Sequence, residues 1–439
     1  MVLGAGLAGL SFALEATGLG HEVVVLEKSG EPGGLLKSRE VDGYTVDLGG
    51  SHILFSKDPE KLDFLLGLVG PENLVKHRRD TRIYYRGMYV KYPFENGVYM
   101  LPPEERFEIL RGVVEAYVKR RCGEVEPRNF EEWIYAVFGA PIAEKYLVPY
   151  NRKLWKRPLS QISLEWVAGR VPMPPIEDVM RSAVGLPTEG YLHQLNFYYP
   201  LSGGIESVIR GLLSRLRGRR FRLVTGFDAQ AIYRENGETR VSDGRDEYGG
   251  DILVSTAPMP DTLRLLDGRE RRLASGVFDY NSLSVIAVGG PGEAPPYHWV
   301  YFPQEEIPFH RLAILSNYTP RAAPRGHVLL IAESSAPPGS SFPPGLAERV
   351  AEWAVDLGFI GGDAEVVAVE EWRYAYIVYR HGYGRLVGEA SRVLRENGVL
   401  PVGRFGSWRY MNMDETAYRA REAARKVSLG GAADGGRGE

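Results

Sequence analysis

The apolar positions change their spacing several times along the chain, and the changes mark its elements. Val2-Leu3 leads into Gly4-Ala5-Gly6-Leu7-Ala8-Gly9 and an apolar helix, and His21-Glu22-Val23-Val24-Val25-Leu26 reads as a buried strand ending on Glu27. Beyond Phe55 the period becomes helical, as in Pro59-Glu60-Lys61-Leu62-Asp63-Phe64-Leu65-Leu66. Arg82-Ile83-Tyr84-Tyr85-Arg86-Gly87-Met88-Tyr89-Val90 reads as a hairpin turning at Arg86-Gly87, closed by Tyr92-Pro93-Phe94-Glu95-Asn96. Helices dominate from Pro103 to Ala168, among them Glu104 to Lys119 and Asn129 to Phe138, the second capped by Asn129 with Glu132 three residues on. After Tyr199-Pro200-Leu201-Ser202-Gly203-Gly204, a helix is expected from Glu206 to Leu216, then strands around Phe221–Val224 and Asp251–Ser255.

From Ser282 the pattern is strand-rich: Val285–Val288, Trp299–Phe302, Arg311–Ser316, His327–Glu333 and Glu365–Trp372. Leu400 to Val427 runs strand, Gly403-Arg404-Phe405-Gly406, loop and Ala/Arg-rich helix, and Gly430 to Glu439 is expected to be disordered. These elements predict an α/β protein. Residues 1–75, 200–265 and 385–439 would form a discontinuous Rossmann-type domain, 76–199 a mostly helical insertion, and 266–384 an antiparallel β-sheet domain for the substrate.

Composition mainly excludes. A chain of 439 residues needs two or three structural units. The net charge of −3 argues against a nucleic-acid surface over the whole molecule. Cys122 is the single cysteine, so no internal disulfide forms, which fits a reducing compartment. With no apolar run of about 18 residues and no basic leader ahead of the first strand, no membrane span is expected and a cytoplasmic location is the default. Only Met1, Val2 and Leu3 precede Gly4, so the first strand is short or the true start lies upstream. No metal site is assigned, and the oligomeric state is left open.

The first glycine run carries chemistry. Gly4 permits a tight turn, Gly6 lets the backbone approach a pyrophosphate, and Gly9 allows helix to pack closely on strand, so that the helix N-terminus receives the phosphate charge. Glu27, about 20 residues on, is placed to accept hydrogen bonds from a ribose. Glu31-Pro32-Gly33-Gly34 and Val46-Asp47-Leu48-Gly49-Gly50-Ser51-His52 then add two double glycines, which in isolation are ordinary turns. Together with the first run they resemble the flavin fold shared by amine oxidases, protoporphyrinogen oxidases and UDP-galactopyranose mutases.

Three later stretches make the resemblance more specific. They are Pro149-Tyr150-Asn151-Arg152-Lys153-Leu154-Trp155 with Arg170 downstream; Trp299-Val300-Tyr301-Phe302-Pro303 with Pro308-Phe309-His310-Arg311 and Ser316-Asn317-Tyr318; and Gly403-Arg404-Phe405-Gly406-Ser407-Trp408-Arg409-Tyr410. All three are similar to UDP-galactopyranose mutases of the eukaryotic type. The resemblance implies FAD, active when reduced, with NADPH or NADH as candidate reductant and a UDP-sugar as substrate. It implies interconversion of UDP-galactopyranose and UDP-galactofuranose without net redox change: flavin N5 attacks the anomeric carbon, UDP leaves, and the flavin–sugar adduct opens and recloses as a five-membered ring.

It also implies roles. Arg170 and Arg311 would clamp the diphosphate, a task suited to a planar guanidinium, and His52 would sit by the flavin N5. Tyr301, Tyr318, Tyr383 and Tyr410 would line the diphosphate and sugar pocket, with Trp299. Tyr92, Phe94, Tyr146 and Asn151 would receive uridine, and Trp155 would wall the pocket. For FAD, Leu7, Ala8, Lys28 and Leu35 extend the glycine sites Gly4, Gly6, Gly9, Gly33, Gly34 and Glu27. Gly49, Gly50, Ser51 and His52 follow, then Gly203, Gly204, Phe227 and Asp228. Gly403, Arg404, Tyr410, Asn412, Met413 and Asp414 close the site, the last helix turning its dipole toward reduced flavin.

Each residue also has a plainer reading as core, turn or surface ion pair. Glu95, the run Met411-Asn412-Met413-Asp414, and Gly384-Arg385-Leu386 depart from the family pattern and leave the sugar open. The alternatives are a flavin oxidoreductase of the protoporphyrinogen oxidase and amine oxidase kind, or a non-catalytic FAD-binding module.

Overall fold

A computed structural model describes residues 1–168, 173–189, 195–267, 270–273 and 278–429. Gly430–Glu439, expected to be disordered, lies outside the described residues. The two-residue strand Val2–Leu3 is short, yet it lies at the centre of a five-stranded parallel sheet. Val2 pairs with Val25 on one side and Val254 on the other, with Phe221–Thr225 and Val399–Pro401 as the edges. Burial on both faces explains the unbroken Val-Val-Val-Leu run of Val23–Glu27. The helix Leu7–Gly18 packs against Ser207–Leu216 and the last helix, Met413–Ser428. Its buried face is nearly all alanine, leucine and glycine, which lets the backbones approach.

The second layer is a seven-stranded sheet in the order Glu365–Ile377, Tyr280–Pro291, His327–Ala336, Arg311–Ile314, Trp299–Tyr301, Thr81–Tyr85, Met88–Lys91. It is antiparallel except where Trp299–Tyr301 runs parallel to Thr81–Tyr85. The hairpin assigned to the helical segment 76–199 therefore extends the large sheet. Ile83 and Val90 are fully buried by this pairing, which an isolated two-stranded hairpin could not achieve. Arg86 and Gly87, at φ of 50° and 78°, make its turn as expected.

The helical unit follows Lys91. Asn129 caps its helix by accepting from the Glu132 N–H at 3.0 Å, while Glu132 takes the Arg128 N–H at 2.8 Å. The chain then passes through a kink at Gly139 and a wide π-type turn, Ala143–Leu147, that carries Tyr146. Among the elements not read from the sequence are the small sheet Ala231–Glu235, Glu238–Ser242, Glu247–Gly250, and the helices Leu346–Asp356 and Tyr383–Glu396. Among the described residues no helix is long and apolar enough to cross a membrane.

Candidate active site

Three glycine segments converge on the start of the helix Leu7–Gly18. Gly4 has a φ of +97°, and a Cβ on Gly9 would lie 2.0 Å from the Gly4 carbonyl oxygen, so nothing larger than glycine fits the crossing. The helix begins after Gly6 with no side-chain cap and no acidic residue in its first turn, which leaves its N–H groups to a ligand. Opposite stand Gly33 and Gly34, the former donating from its N–H to the Ala5 carbonyl at 3.0 Å. From the third side comes Gly403, whose Cβ would meet that of Ala8 at 2.5 Å.

Glu27 ends its strand beneath this cradle. It accepts from Ala5 N at 2.7 Å, Ser29 N at 2.9 Å and Ser29 Oγ at 2.8 Å. A carboxylate has about four acceptor sites, so one remains for a ribose hydroxyl. An uncapped helix terminus, glycine walls and a carboxylate one turn away fit a dinucleotide pyrophosphate and ribose. Lys28 and Asp228 pair with each other in solvent at 3.1 Å. Phe227 is a core side chain whose N–H donates to the Glu27 carbonyl at 2.9 Å.

Asp47 anchors the next segment. Fully buried, it accepts from Ser38 Oγ at 2.7 Å, Tyr199 OH at 2.7 Å and Ile205 N at 3.0 Å. Gly204 lies so close that a Cβ would reach Asp47 at 2.7 Å, so Gly203-Gly204 edge this carboxyl. Burial pushes the Asp47 carboxyl up to about 6 against those hydrogen bonds. The chain then crosses Gly49, where a Cβ would sit 1.9 Å from the Leu35 carbonyl, and reaches Gly50-Ser51-His52. His52 Nδ1 faces the Gly50 carbonyl at 3.1 Å. Burial lowers its imidazole to about 4, with Glu333 opposing and Arg311 adding to the shift. At neutral pH the ring is therefore neutral, donating from Nδ1 and free to accept at Nε2.

Arg311 enters the same space from its strand. It is held by the buried Glu333, directly across the sheet: Arg311 Nε donates to Glu333 Oε1 at 3.0 Å, Nη2 donates to the same oxygen, and Nη2 reaches the Ser51 carbonyl at 3.2 Å. Burial works against its charge, and Glu333 more than offsets this, so the guanidinium stays protonated. The expectation that Arg311 stands ready for phosphate is thus amended: a carboxylate already holds it. Arg170, its expected partner, lies outside the described residues. Arg404, assigned to the FAD pyrophosphate, donates to the carbonyls of Met411 at 3.1 Å and Ala375 at 2.6 Å and lies 4.0 Å from the centre of the Tyr410 ring. At the start of the last helix Asn412 forms no side-chain cap, Met413 is half-buried, and Asp414 accepts from Ser56 Oγ at 2.5 Å.

The helical unit and the large sheet share an aromatic wall. Tyr92 meets Tyr301 at 5.2 Å, Tyr150 meets Tyr301 at 5.3 Å, and Phe94, Tyr146 and Tyr150 stack in sequence at 5.3 and 5.6 Å. Tyr92, Tyr150 and Tyr301 keep part of their surface, whereas Phe94 is fully buried and Tyr146 is 4% exposed, so these two support the wall from behind. Burial raises the phenols of Tyr92, Tyr146 and Tyr150, keeping them protonated donors.

Two uridine expectations are corrected. Asn151 donates to its own helix at Leu147 O, 2.8 Å, and accepts from Trp155 Nε1 at 3.1 Å. Trp155 is 1% exposed and packs on Trp166 and Tyr376. The amide positions the indole, which is buried in a separate cluster with Phe130, Ile134 and Leu159. Trp299 and Tyr318 are likewise buried, around His298 and Phe197.

Tyr383 stacks on Tyr379 at 3.8 Å and donates to the Trp408 carbonyl, while Tyr379 OH accepts from Tyr410 N at 2.9 Å. Tyr379 and Tyr383 border a cavity of about 390 Å³ with Glu165, Arg395 and Arg409. The reading of the sequence passed over Glu333, Tyr376 and Lys153. Glu333 appeared only as the end of an apolar strand. Lys153, inside a quoted motif, is buried and donates to the carbonyls of Phe302 at 2.9 Å and Gln304 at 2.7 Å, tying the helical unit to the sheet; burial lowers its amine to about 7. No group of three His, Cys, Asp or Glu side chains among the described residues is placed to hold a metal ion.

Known proteins match this architecture. The NAD(P)-binding Rossmann-like domain family matches residues 2–65. A crystal structure of reduced UDP-galactopyranose mutase superposes with a TM-score of 0.88 at 28% identity, covering 99% of this chain and 96% of that one. The chain belongs to the amine oxidase-like flavoprotein superfamily. Its fold class is accordingly the expected one, a Rossmann-like domain beside an antiparallel-rich sheet. As a member of this superfamily it is a flavoenzyme, and FAD is the cofactor the cradle fits. A Mycobacterium tuberculosis protein named as a flavin-containing monoamine oxidase is 31% identical over 165 residues, 35% of this chain and 36% of that relative. The match thus spans about a third of the relative's length. A structure described as a protoporphyrinogen oxidase from Exiguobacterium sp. 255-15 shares the fold, with a TM-score of 0.74 at 17% identity over 98% of each chain.

Proposed function

We propose that this flavoenzyme is a nucleotide-sugar mutase interconverting UDP-galactopyranose and UDP-galactofuranose, redox-neutral overall and active with reduced FAD. The observation that carries the reading is the meeting of an always-charged guanidinium, a neutral imidazole and a wall of phenols at one junction, in a chain whose full length follows a UDP-galactopyranose mutase. A hydride-transferring site for an apolar amine or porphyrinogen has no need of a buried arginine. A UDP-sugar brings two phosphate charges that must be met away from water.

FAD would be held by the N–H groups at Leu7–Gly9, by Glu27 and by the glycines 33, 34 and 403; when reduced it supplies a nucleophilic nitrogen. The protein's own residues do the rest. Arg311 donates a charge-assisted hydrogen bond to a diphosphate oxygen from Nη1, the nitrogen that Glu333 and Ser51 leave over, and Tyr92 and Tyr301 donate neutral hydrogen bonds while their rings exclude water. His52 offers Nε2 as an acceptor for a sugar hydroxyl proton. Tyr410, leaning on Arg404 and meeting Trp166 edge-on at 5.2 Å, closes a further side. The sugar specificity and the reductant, NADPH or NADH, belong to the proposal.

The test is chromatography of UDP-galactofuranose incubated with dithionite-reduced, FAD-loaded enzyme. Pyranose product is expected; its absence would overturn the assignment. The identity to a monoamine oxidase favours a second reading, an FAD-dependent oxidoreductase. Sustained oxygen consumption with an amine, insensitive to UDP, would establish that instead.

A further inference from the structure

One buried carboxylate joins four parts of the site without a role in the reading above. Glu333, 2% exposed at its side chain, lies opposite Arg311 in the strand register. Its Oε1 accepts from Arg311 Nε at 3.0 Å, from Arg311 Nη2, and from the Ser51 N–H at 3.2 Å. Its Oε2 accepts from Tyr376 OH at 3.1 Å and stands 3.8 Å from His310 Nε2. The peptide it grips is the one whose other end serves the histidine: the Gly50–Ser51 unit gives its N–H to Glu333 and turns the Gly50 carbonyl toward His52 Nδ1. Gly50 is required for this, because a Cβ there would lie 2.8 Å from Glu333 Oε1.

We propose that Glu333 is the positioning residue of this site, locking Arg311 and the Gly50–His52 loop into one unit and restraining the affinity of Arg311 for anions. Arg311 presents Nε and Nη2 to Glu333 and Ser51, which leaves Nη1 toward a ligand. A phosphate arriving there meets a guanidinium whose charge is already partly neutralised, so ground-state binding is moderated while the geometry is kept. The inference rests on the mutase reading for the identity of the anion, and its geometry stands apart from that reading.

Neutralising Glu333 separates positioning from packing. In FAD-loaded E333Q, which keeps the side-chain shape, inorganic pyrophosphate and UDP should bind roughly tenfold more tightly, because an uncompensated buried guanidinium seeks a new anion. Turnover of UDP-galactofuranose should fall by about tenfold or more, since Arg311 and the loop are no longer held by charge-assisted bonds. A packing residue would lower affinity and turnover together.

The affinity gain should vanish when E333Q is added to R311A, because Glu333 acts through Arg311. Equal loss of binding and turnover, unchanged pyrophosphate affinity in E333Q, or the same gain without Arg311 would each overturn the proposal. If E333Q does not hold FAD, the pair R311A and R311A/E333Q carries the test: the double variant should melt higher, since it leaves no unpaired buried charge, and a lower melting temperature would refute the coupling. A wild-type chain that turns over no UDP-sugar, while E333Q still shows tighter pyrophosphate binding, would sink the mutase assignment and leave the role of Glu333 standing.

Discussion

Replacing Gly9 with alanine adds a single methyl group at the tightest crossing in the molecule. That carbon would sit 2.0 Å from the Gly4 carbonyl oxygen and 3.2 Å from Val2 Cγ1, where ordinary contact begins at 3.4 Å. Backbone and a central strand lie on the far side, so the helix Leu7–Gly18 must move outward by about 1.4 Å at its start, taking its free N–H groups with it. Strain of this kind costs ~1–3 kcal/mol in stability. Two charge-assisted bonds to a pyrophosphate, at ~1.5–3 kcal/mol each, would stretch or break. FAD affinity should therefore fall by roughly two to four orders of magnitude.

The assay is flavin retention by visible absorbance after gel filtration, followed by titration of stripped protein with FAD. Gly388→Ala is the matched control: this glycine lies within the helix Tyr383–Glu396 with nothing within 4 Å of its Cβ position. There the change should stabilise by ~0.5–1 kcal/mol through helix propensity and leave flavin content alone. A G9A variant that keeps its flavin at wild-type affinity would refute the cradle.

Arg311→Ala should lower the UDP affinity of the reduced enzyme by on the order of 1.5–3 kcal/mol, seen by calorimetry with an unchanged flavin spectrum. It should also destabilise the fold by ~3–5 kcal/mol, because Glu333 is left buried and unpaired. Asn151→Ala should cost ~1–3 kcal/mol in chemical denaturation by orphaning the Trp155 indole N–H, without altering the preference for uridine over other bases.

His298 accepts from Asp80 N at 3.0 Å, and burial with the nearby His77 holds it near 4, below its unfolded value of 6.5. Its contribution is thus present above pH 6.5 and lost as the pH falls through about 4, by on the order of 2–3 kcal/mol. Comparing the unfolding free energies of wild type and H298N across this window isolates it from Asp47. That carboxyl is raised to about 6, so its term has the opposite sign: it is present below the usual carboxylate value and lost as the pH rises through about 6. A flat difference between the two proteins would refute the histidine's role.

Elements whose form depends on neighbouring residues could be read from the chain. A tight turn demands glycine wherever its backbone must cross another, so Gly4 and Gly9 declared themselves. Period-two and uninterrupted apolar runs likewise marked the strands that hold the two sheets. Elements decided by pairing across hundreds of residues could not be read that way. The hairpin Thr81–Lys91 looked like the opening of a helical insertion, and only its register with Trp299–Tyr301 assigns it to the sheet.

The site follows the same division. The family resemblance suggested arginine, histidine and tyrosine roles, and the fixed capacities of guanidinium, imidazole and phenol made those roles chemically reasonable. Which of them face a common space was decided by packing. Asn151 turned from a base reader into the support of an indole, Trp155 went into a core of its own, Phe94 went behind the wall, and Glu333, silent in an apolar strand, became the partner that holds Arg311. Local geometry is written in local sequence, but the environment of a side chain is set by whichever distant segments fold against it. Its available hydrogen bonds and its charge partners are therefore properties of the tertiary structure alone.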